Sequence, residues 1–333
     1  MMPNSFLQNL KAHILNQGQH NKKTMENINA LQDLMRQNID YSIFLNKIKQ
    51  WQGPQPFSIH NYSFWIYLLI AGIALIGAML IHPYLILLSF AIVIYAFIQR
   101  QSSTPYKKLI QNLEAFTFTQ KYQLQVQHPD AFPLAPTLFN FPLFQLGNHQ
   151  NDIQNQAYGT WVINSRIQPF MLFNYHYIDR VEQRDSEGKK KIKYEHHDLW
   201  GILIHNMSMQ GISISANQQR ACRLGVKWSS SDIQFNQRYQ LSGTNEMQLA
   251  KFFSPVHILK LDQAMREYSG DLYIHPNSPS LVWLFKKDNL KTHSTLSSIQ
   301  SIEDLAVYLE HLSMPQFEHL EQQLTILLKE IEH

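Results

Sequence analysis

Residues 64–98 read FWIYLLIAGIALIGAMLI (64–81), then HP (82–83), then YLILLSFAIVIYAFI (84–98), and between Lys49 and Arg100 there is no Lys, Arg, Asp or Glu. A water-soluble helix keeps one polar face, and this stretch has none, so its solvent is expected to be lipid. The His82-Pro83 break turns one long run into two limbs. At about 1.5 Å per residue the first limb would reach about 27 Å and the second about 22 Å, against a hydrocarbon core of roughly 30 Å. Trp65, Tyr67, Tyr84 and Tyr95 fall near limb ends, where amphipathic rings favour the headgroup layer. Gly72, Gly77, Ala71, Ala74 and Ala78 give the first limb small residues for close packing on the second.

Working outward, the connection between the limbs carries no Lys or Arg, whereas the flanks carry Lys47, Lys49, Arg100, Lys107 and Lys108. The positive-inside rule then puts both termini in the cytoplasm. A shallow wedge that never crosses is the other arrangement the short second limb allows. The apolar run starts after some sixty polar residues, which argues against a cleaved signal peptide. Cys222 is the only cysteine, so the chain forms no internal disulfide and suits a reducing compartment. A formal net charge of +3, without basic runs interleaved with aromatics, gives no reason to expect nucleic acid.

The N-terminal residues 1–52 read as helices. Phe6, Leu10 and Ile14 recur at fours, and Ile28, Leu31, Met35 and Ile39 follow three-four spacing, with a break expected at residues 17–21. After the hairpin (63–98), Thr104-Pro105 opens a helix to about Tyr122. A proline- and aromatic-rich stretch follows, with Phe132, Phe139, Phe141 and Phe144, too apolar for a loose linker and expected to pack over the edge of the domain after it or to lie at the membrane surface. From Gly159 the pattern becomes strand-like: 161–163, 170–178, a charged turn at 185–188, 192–206, 211–216 and 239–242. A helix over 255–268 and a closing hairpin of 272–275 with 281–285 complete an α+β domain with a mainly antiparallel sheet, placed at 104–292. Residues 296–333 are again helical, opening on the capping pair Ser301 and Asp304. Their stripe of Phe317, Leu320, Leu324, Leu327, Leu328 and Ile331 can pack on the domain, the N-terminal helices or a second subunit.

Metal-ligating residue types gather at Glu195-His196-His197-Asp198, with His176 on the facing strand and His205 downstream. Alternation along a strand sends Glu195 and His197 to one face and His196 and Asp198 to the other. If the turn centres near Glu187, His176 would meet His197 at a diagonal offset, so the set nearest to a metal site is His176, His197 and Glu195. Two histidines and one carboxylate without further support read as a solvated face, and no metal or cofactor is expected. Lys189, Lys190, Lys191 and Lys193 at the hairpin tip are candidates for contact with anionic headgroups. No catalytic signature is present. Ser208 lacks the glycine of a nucleophile elbow, Gly188-Lys189 lacks the flanks of a phosphate loop, and there is no HExxH or GxGxxG. Cys222 lies between Arg220 and Arg223, but no general base can be assigned to it. No catalytic residue is proposed.

Two stretches carry a family resemblance. One runs from Leu146-Gly147 through Gly159-Thr160-Trp161 and Phe173-Asn174-Tyr175-His176-Tyr177 to His197-Asp198-Leu199-Trp200-Gly201-Ile202. The other is Phe235, Tyr239, Leu241 and Gly243, followed by Ala250, Phe253, Ser254 and Pro255. With the hairpin before them, they resemble a bacterial family of membrane-anchored proteins catalogued as domain of unknown function 3137, over roughly residues 60–290. The departures are Leu241, Gly243 and Phe253, where that family more often has Val, Ser and Leu. The resemblance implies a membrane-tethered α+β domain and supplies no activity or site residues. In the second stretch, Phe235, Tyr239 and Leu241 read as the buried face of one strand, and Ser254-Pro255 as a helix start.

The leading expectation is an interaction or regulatory module facing the cytoplasm from a bacterial inner membrane. Its partners would be the lipid bilayer and a protein, or a second copy, met through the terminal amphipathic helices. An enzyme acting on a lipid or membrane-bound substrate is the alternative, and a membrane-shaping hairpin the second.

Overall fold

The computed structural model describes residues 4–37, 39–80, 82–126, 141–184, 190–216, 223–294, 296 and 298–331, with backbone alone over 4–15. Ten α-helices are described: α1 (Asn4–Arg36), α2 (Tyr41–Lys49), α3 (Tyr62–Leu80), α4 (Leu85–Gln99), α5 (Thr104–Tyr122), α6 (Ile233–Arg238), α7 (Glu246–Phe252), α8 (Pro255–Glu267), α9 (Ile302–Glu310) and α10 (Pro315–Ile331). The strands are β1 (Gln150–Ile163), β2 (Arg166–Arg184), β3 (Lys190–His205), β4 (Ile212–Ser215), β5 (Val226–Trp228), β6 (Gln240–Gly243), β7 (Gly270–Ile274) and β8 (Ser280–Phe285). The chain forms two compact units, Met1–Gln120 with Ser294–Leu312, and Lys121–His293 with Ser313–His333. This division differs from the sequence-based one. Nearly all of α5, together with α9, belongs with the N-terminal helices and the hairpin, and α10 belongs with the sheet.

In the first unit α3 and α4 form the expected hairpin, and two helices are long and apolar enough to cross a membrane. The second meets that length only when followed through the break at 100–103 into α5, since α4 itself has 15 residues. Ala71 and Ala78 on α3 and Ser89 and Ala96 on α4 are buried, and the Ser89 hydroxyl donates to the Ala71 carbonyl at 2.8 Å. That bond satisfies the hydroxyl inside an apolar environment. A Cβ on Gly77 would meet Leu85, whereas one on Gly72 would meet nothing within 4 Å, so Gly72 is not part of the expected packing face. Leu69, Ile73, Ile76, Leu87, Phe90 and Ile94 are exposed.

The break expected at residues 17–21 is absent: α1 runs unbroken through them. Polar side chains of this stretch bond sideways to the extended segment before α3 and to the first turn of α3. Gln17 exchanges two 2.9 Å bonds with Ser63, Asn21 exchanges bonds of 2.8 and 2.9 Å with the His60 backbone, and Asn27 donates to the Pro54 and Pro56 carbonyls. Below this seam, Ile28, Leu31, Leu34, Phe44, Leu109, Leu113, Leu305 and Leu309 form one core. Ser301 and Asp304 cap α9 as a reciprocal box, as the sequence indicated.

The second unit is α+β around one antiparallel eight-stranded sheet, ordered β1-β2-β3-β8-β7-β4-β6-β5. The register pairs Phe170 with Ile204, Ile204 with Leu281, and Leu281 with Ile274, which places these four on one face. Rings on that side meet the helices: Phe170 lies 6.0 Å from Phe317 of α10, and Trp283 lies 6.0 Å from Tyr268 after α8. The opposite face buries Met171, Phe173, Tyr175, Leu203, Tyr273 and Val282 beneath Phe141, Leu143 and Phe144, as expected for the aromatic stretch. Residues 127–140 of that stretch lie outside the described residues. Phe235 departs from the strand reading. It sits in α6, where Asp232 caps the helix by accepting from the Phe235 amide at 3.0 Å, and only the chain beyond Tyr239 is strand.

The apolar stripe of α10 is buried in its own unit, with Leu320, Leu324 and Leu328 at 0% exposure. Trp161 Nε1 donates to Glu321 at 2.7 Å, and the Tyr268 hydroxyl donates to the Gln316 carbonyl at 2.7 Å. Leu324→Ala is therefore expected to destabilise the sheet unit by about 2–5 kcal/mol, with a fall in its thermal midpoint. Retention of the parental midpoint would show that α10 is dispensable to this core.

Candidate functional site

Strands β2 and β3 outrun their neighbours. β1 accompanies β2 only as far as Ile178, and β8 accompanies β3 only from Trp200. Residues 179–184 and 190–195 therefore pair with each other alone, as a two-stranded arm of about 20 Å at about 3.3 Å per residue. At its base Asn148 holds the strand: its side chain accepts from the Arg180 amide at 2.6 Å and donates to the Arg180 carbonyl at 3.2 Å. Arg180, Ile192 and Tyr194 are exposed on one side of the arm, and His149 leans on Tyr194 with ring centroids 4.8 Å apart.

The register decides which polar side chains meet. His176 stands opposite Asp198, Tyr177 opposite His197, Ile178 opposite His196, and Asp179 opposite Glu195. Directly opposed residues share a face, so His176, His196 and Asp198 lie on one face, and His197, Asp179 and Glu195 on the other. The expected grouping of His176 with His197 and Glu195 does not form. The connection is centred as anticipated, midway between Arg184 and Lys190, but an offset of one residue across strands is a change of face.

His176 Nδ1 lies 3.0 Å from Asp198 Oδ1, and His176 Nε2 lies 3.2 Å from His196 Nδ1. The carboxylate accepts from Nδ1–H of His176, which leaves Nε2 as the acceptor for His196. Bonding from His176 holds the Asp198 carboxyl below its ordinary range. Asp152 of β1 stands opposite His176 from the other side, on the same face. On the reverse face, His197 Nε2 is 3.6 Å from Asp179 and its ring stacks on Tyr177 at 4.8 Å. Glu195 accepts from Lys193 at 2.8 Å, and that bond lowers its carboxyl. Among the described residues, no group of three or more His, Cys, Asp or Glu side chains is placed to hold a metal ion.

The chain has no match among known protein families, curated proteins or solved structures.

The lysine run does not make one patch. Lys190 faces the side of Arg184 and Glu182, with 3.5 Å to the latter, whereas Lys191 and Lys193 face the other side. Lys189 and Cys222 lie outside the described residues. A groove of about 350 Å³ in the first unit is lined by Tyr106, Ile110, Glu114, Ile299 and Tyr308. Its tyrosine hydroxyls are committed internally, Tyr106 to the Ile299 carbonyl and Tyr308 to Glu114. His205 is buried in the sheet, 2.9 Å from the Ser280 hydroxyl, and burial pushes its imidazole down to about 4.

Two outcomes follow. His176→Ala should raise the Asp198 carboxyl toward its ordinary value, measured by NMR titration of the side chain; an unmoved midpoint would mean that the bond does not form. His205 stays neutral in the fold but charges in the unfolded chain below the ordinary histidine value of 6.5. The fold then binds fewer protons than the unfolded chain between pH 6.5 and about 4, so stability falls as pH drops through that window, by roughly 3 kcal/mol. Denaturant unfolding of the parent and His205→Gln across that range measures it, with a flatter profile expected for the variant.

Proposed function

We propose that the chain is a membrane-anchored interaction or regulatory module, tethered by α3 and α4 at a bacterial inner membrane with both termini in the cytoplasm. The observation that carries this reading is the outward face of the hairpin. Trp65, Leu69, Ile73, Leu87, Phe90 and Ile98 are each more than half exposed, on helices with no charged residue. Left in water, such a continuous apolar surface would aggregate; a bilayer removes it from water. The orientation rests on the basic flanks and the uncharged connection. The bacterial setting rests on the family resemblance.

For the interaction surface, the arm is preferred to the C-terminal helices; the side chains of the N-terminal stripe, Phe6, Leu10 and Ile14, lie outside the described residues. The stripe of α10 and the buried residues of α9 are taken up within their own units, whereas residues 179–184 and 190–195 are paired on neither outer edge by another strand. Unpaired strand edges accept a partner strand, and the exposed Ile192 and Tyr194 offer it apolar contact. Headgroup contact by Lys190, Lys191 and Lys193 is a secondary role of the same arm. The membrane-shaping alternative draws on the 15 residues of α4. The enzyme alternative has behind it, among the described residues, only the contacts of His176 with Asp198 and His196.

Topology is tested with single cysteines in a Cys222→Ser background, labelled in spheroplasts by a membrane-impermeant maleimide. His82→Cys should react from outside, and Ser42→Cys and Ser298→Cys only after lysis. External labelling of either of the latter two would overturn the orientation. Crosslinking in native membranes should capture specific proteins that are lost when residues 179–194 are replaced by a two-residue turn. Capture unaffected by that replacement would remove the arm from the proposal.

A further inference from the structure

We propose that β3 offers its outer edge to a second copy of this chain, with residues 190–198 of the two copies paired antiparallel about a two-fold axis at Tyr194. The inference rests on the reading of the arm as an interaction surface and names its partner. The arm has two unequal edges. Along β2, β1 reaches Ile178 and the Asn148 side chain takes both backbone groups of Arg180, which leaves only residues 181–184. Along β3, β8 reaches only Trp200, so among the described residues 190–199 have no strand on that side. Nine residues there span about 30 Å at about 3.3 Å per residue. An isolated two-stranded ribbon is marginal in water, and two of them paired edge to edge make a four-stranded one.

The charges along the edge select the partner. With the axis at Tyr194, residue 193 stands opposite 195, 192 opposite 196, 191 opposite 197 and 190 opposite 198, and opposed residues share a face. Lys193 then meets Glu195 twice and Lys190 meets Asp198 twice, with no like charges opposed. In the single chain Lys193 bonds Glu195 of its own strand and Lys190 pairs with Glu182; these exposed pairs contribute little, so exchanging them across the axis costs little. On the other face the two Tyr194 side chains meet at the axis, each with Ile192 of the other copy diagonal to it, and both residues are exposed in the single chain.

Neighbouring alignments fail. An axis at Ile192 sets Lys191 against Lys193 twice, and one at Lys193 sets that lysine against itself. An axis at Glu195 opposes two carboxylates and drives Lys190 against Trp200, where β8 already lies. Like charges directly opposed destabilise a strand pair, so the lysines that repel other alignments leave one. In that one, nine residues of the partner fill the open edge and stop where β8 begins. The contact is isologous and closes on itself, since each copy spends the same edge and offers no further one to a third.

The test uses the full chain in native membranes, as single cysteines in the Cys222→Ser background under mild oxidation. Tyr194→Cys meets itself at the axis, within the Cα separation that a disulfide spans, whereas two copies of Lys191→Cys stand about 20 Å apart. Disulfide dimer from Tyr194→Cys is expected to exceed that from Lys191→Cys at least tenfold. Both positions are exposed, so neither change disturbs the core. Co-purification of differently tagged copies tests the alignment. Lys193→Glu copies should lose one another, as should Glu195→Lys copies, and mixing the two variants should restore the pair. Equal disulfide yields at the two positions would overturn the self-pairing, and a mixture that fails to recover would overturn the alignment at Tyr194. If other proteins are still captured through the arm when the yields are equal, the second copy fails as partner while the arm remains the interaction surface.

Discussion

The pairing register of β2 with β3 is the constraint on which the sheet unit depends. A strand has a side-chain period of two, so one register assigns every residue on both strands to a face. Near β8 the assignment buries both faces: Phe170, Leu172 and Ile202 turn to the helices, and Met171, Phe173 and Tyr175 turn to Phe141 and Phe144. Toward the other end the same two strands continue after their neighbours stop, and the side chains become His, Asp, Glu, Lys and Arg. Gly201 marks the crowded end. A Cβ there would lie 2.7 Å from the Phe173 ring and 2.8 Å from the Trp283 carbonyl, so the register is held by packing that tolerates no side chain at that position.

The first unit solves a different problem. An extended segment leads into α3, and its backbone groups need partners that a neighbouring strand would normally give. Asn21, Thr24 and Asn27 supply them from one side of α1, and Gln17, four residues before Asn21, accepts from the Ser63 amide in the first turn of α3. The ends of the hairpin are tied by a reciprocal pair, with the Gln101 amide donating to Asn61 Oδ1 at 2.9 Å and Asn61 Nδ2 donating to the Gln101 carbonyl at 3.0 Å. Arg100 lies over the Phe64 ring at 5.2 Å. Polar residues on α1 thus serve the backbone of the next segment, and the helix around them gains lateral support.

Much of this was legible in the chain. The hairpin, the α5 start, the β7–β8 hairpin and the caps at Ser254 and Ser301 each follow from local chemistry that burial reinforces. The misreadings share a cause. Residues 17–21 look like a break because Gly, His and Asn are indifferent helix formers, yet the Gln17 and Asn21 side chains are bonded to residues some forty positions away. Phe235 reads as strand because Tyr239 and Leu241 follow at even spacing, but Asp232 captures the Phe235 amide and starts a helix. For the arm, the sequence gives the residue types and the centre of the turn. Whether His176 meets His197 or His196 rests on parity alone, which a one-residue offset reverses.

On the proposed reading the arm is a weak binder. Its outward ion pairs, Lys190 with Glu182 and Lys193 with Glu195, are exposed, and exposed pairs contribute little. The apolar surface it offers is two side chains, Ile192 and Tyr194. In solution such a surface would hold a partner poorly. On the proposed reading the chain is confined to a membrane, and tethering turns the meeting of co-resident molecules into a nearly intramolecular event, with effective concentrations that reach the millimolar range. A surface of modest intrinsic affinity then suffices for partners fixed to the same membrane and fails for those free in solution. The hairpin and the arm therefore fit one logic, in which the anchor supplies concentration and the ribbon supplies selectivity.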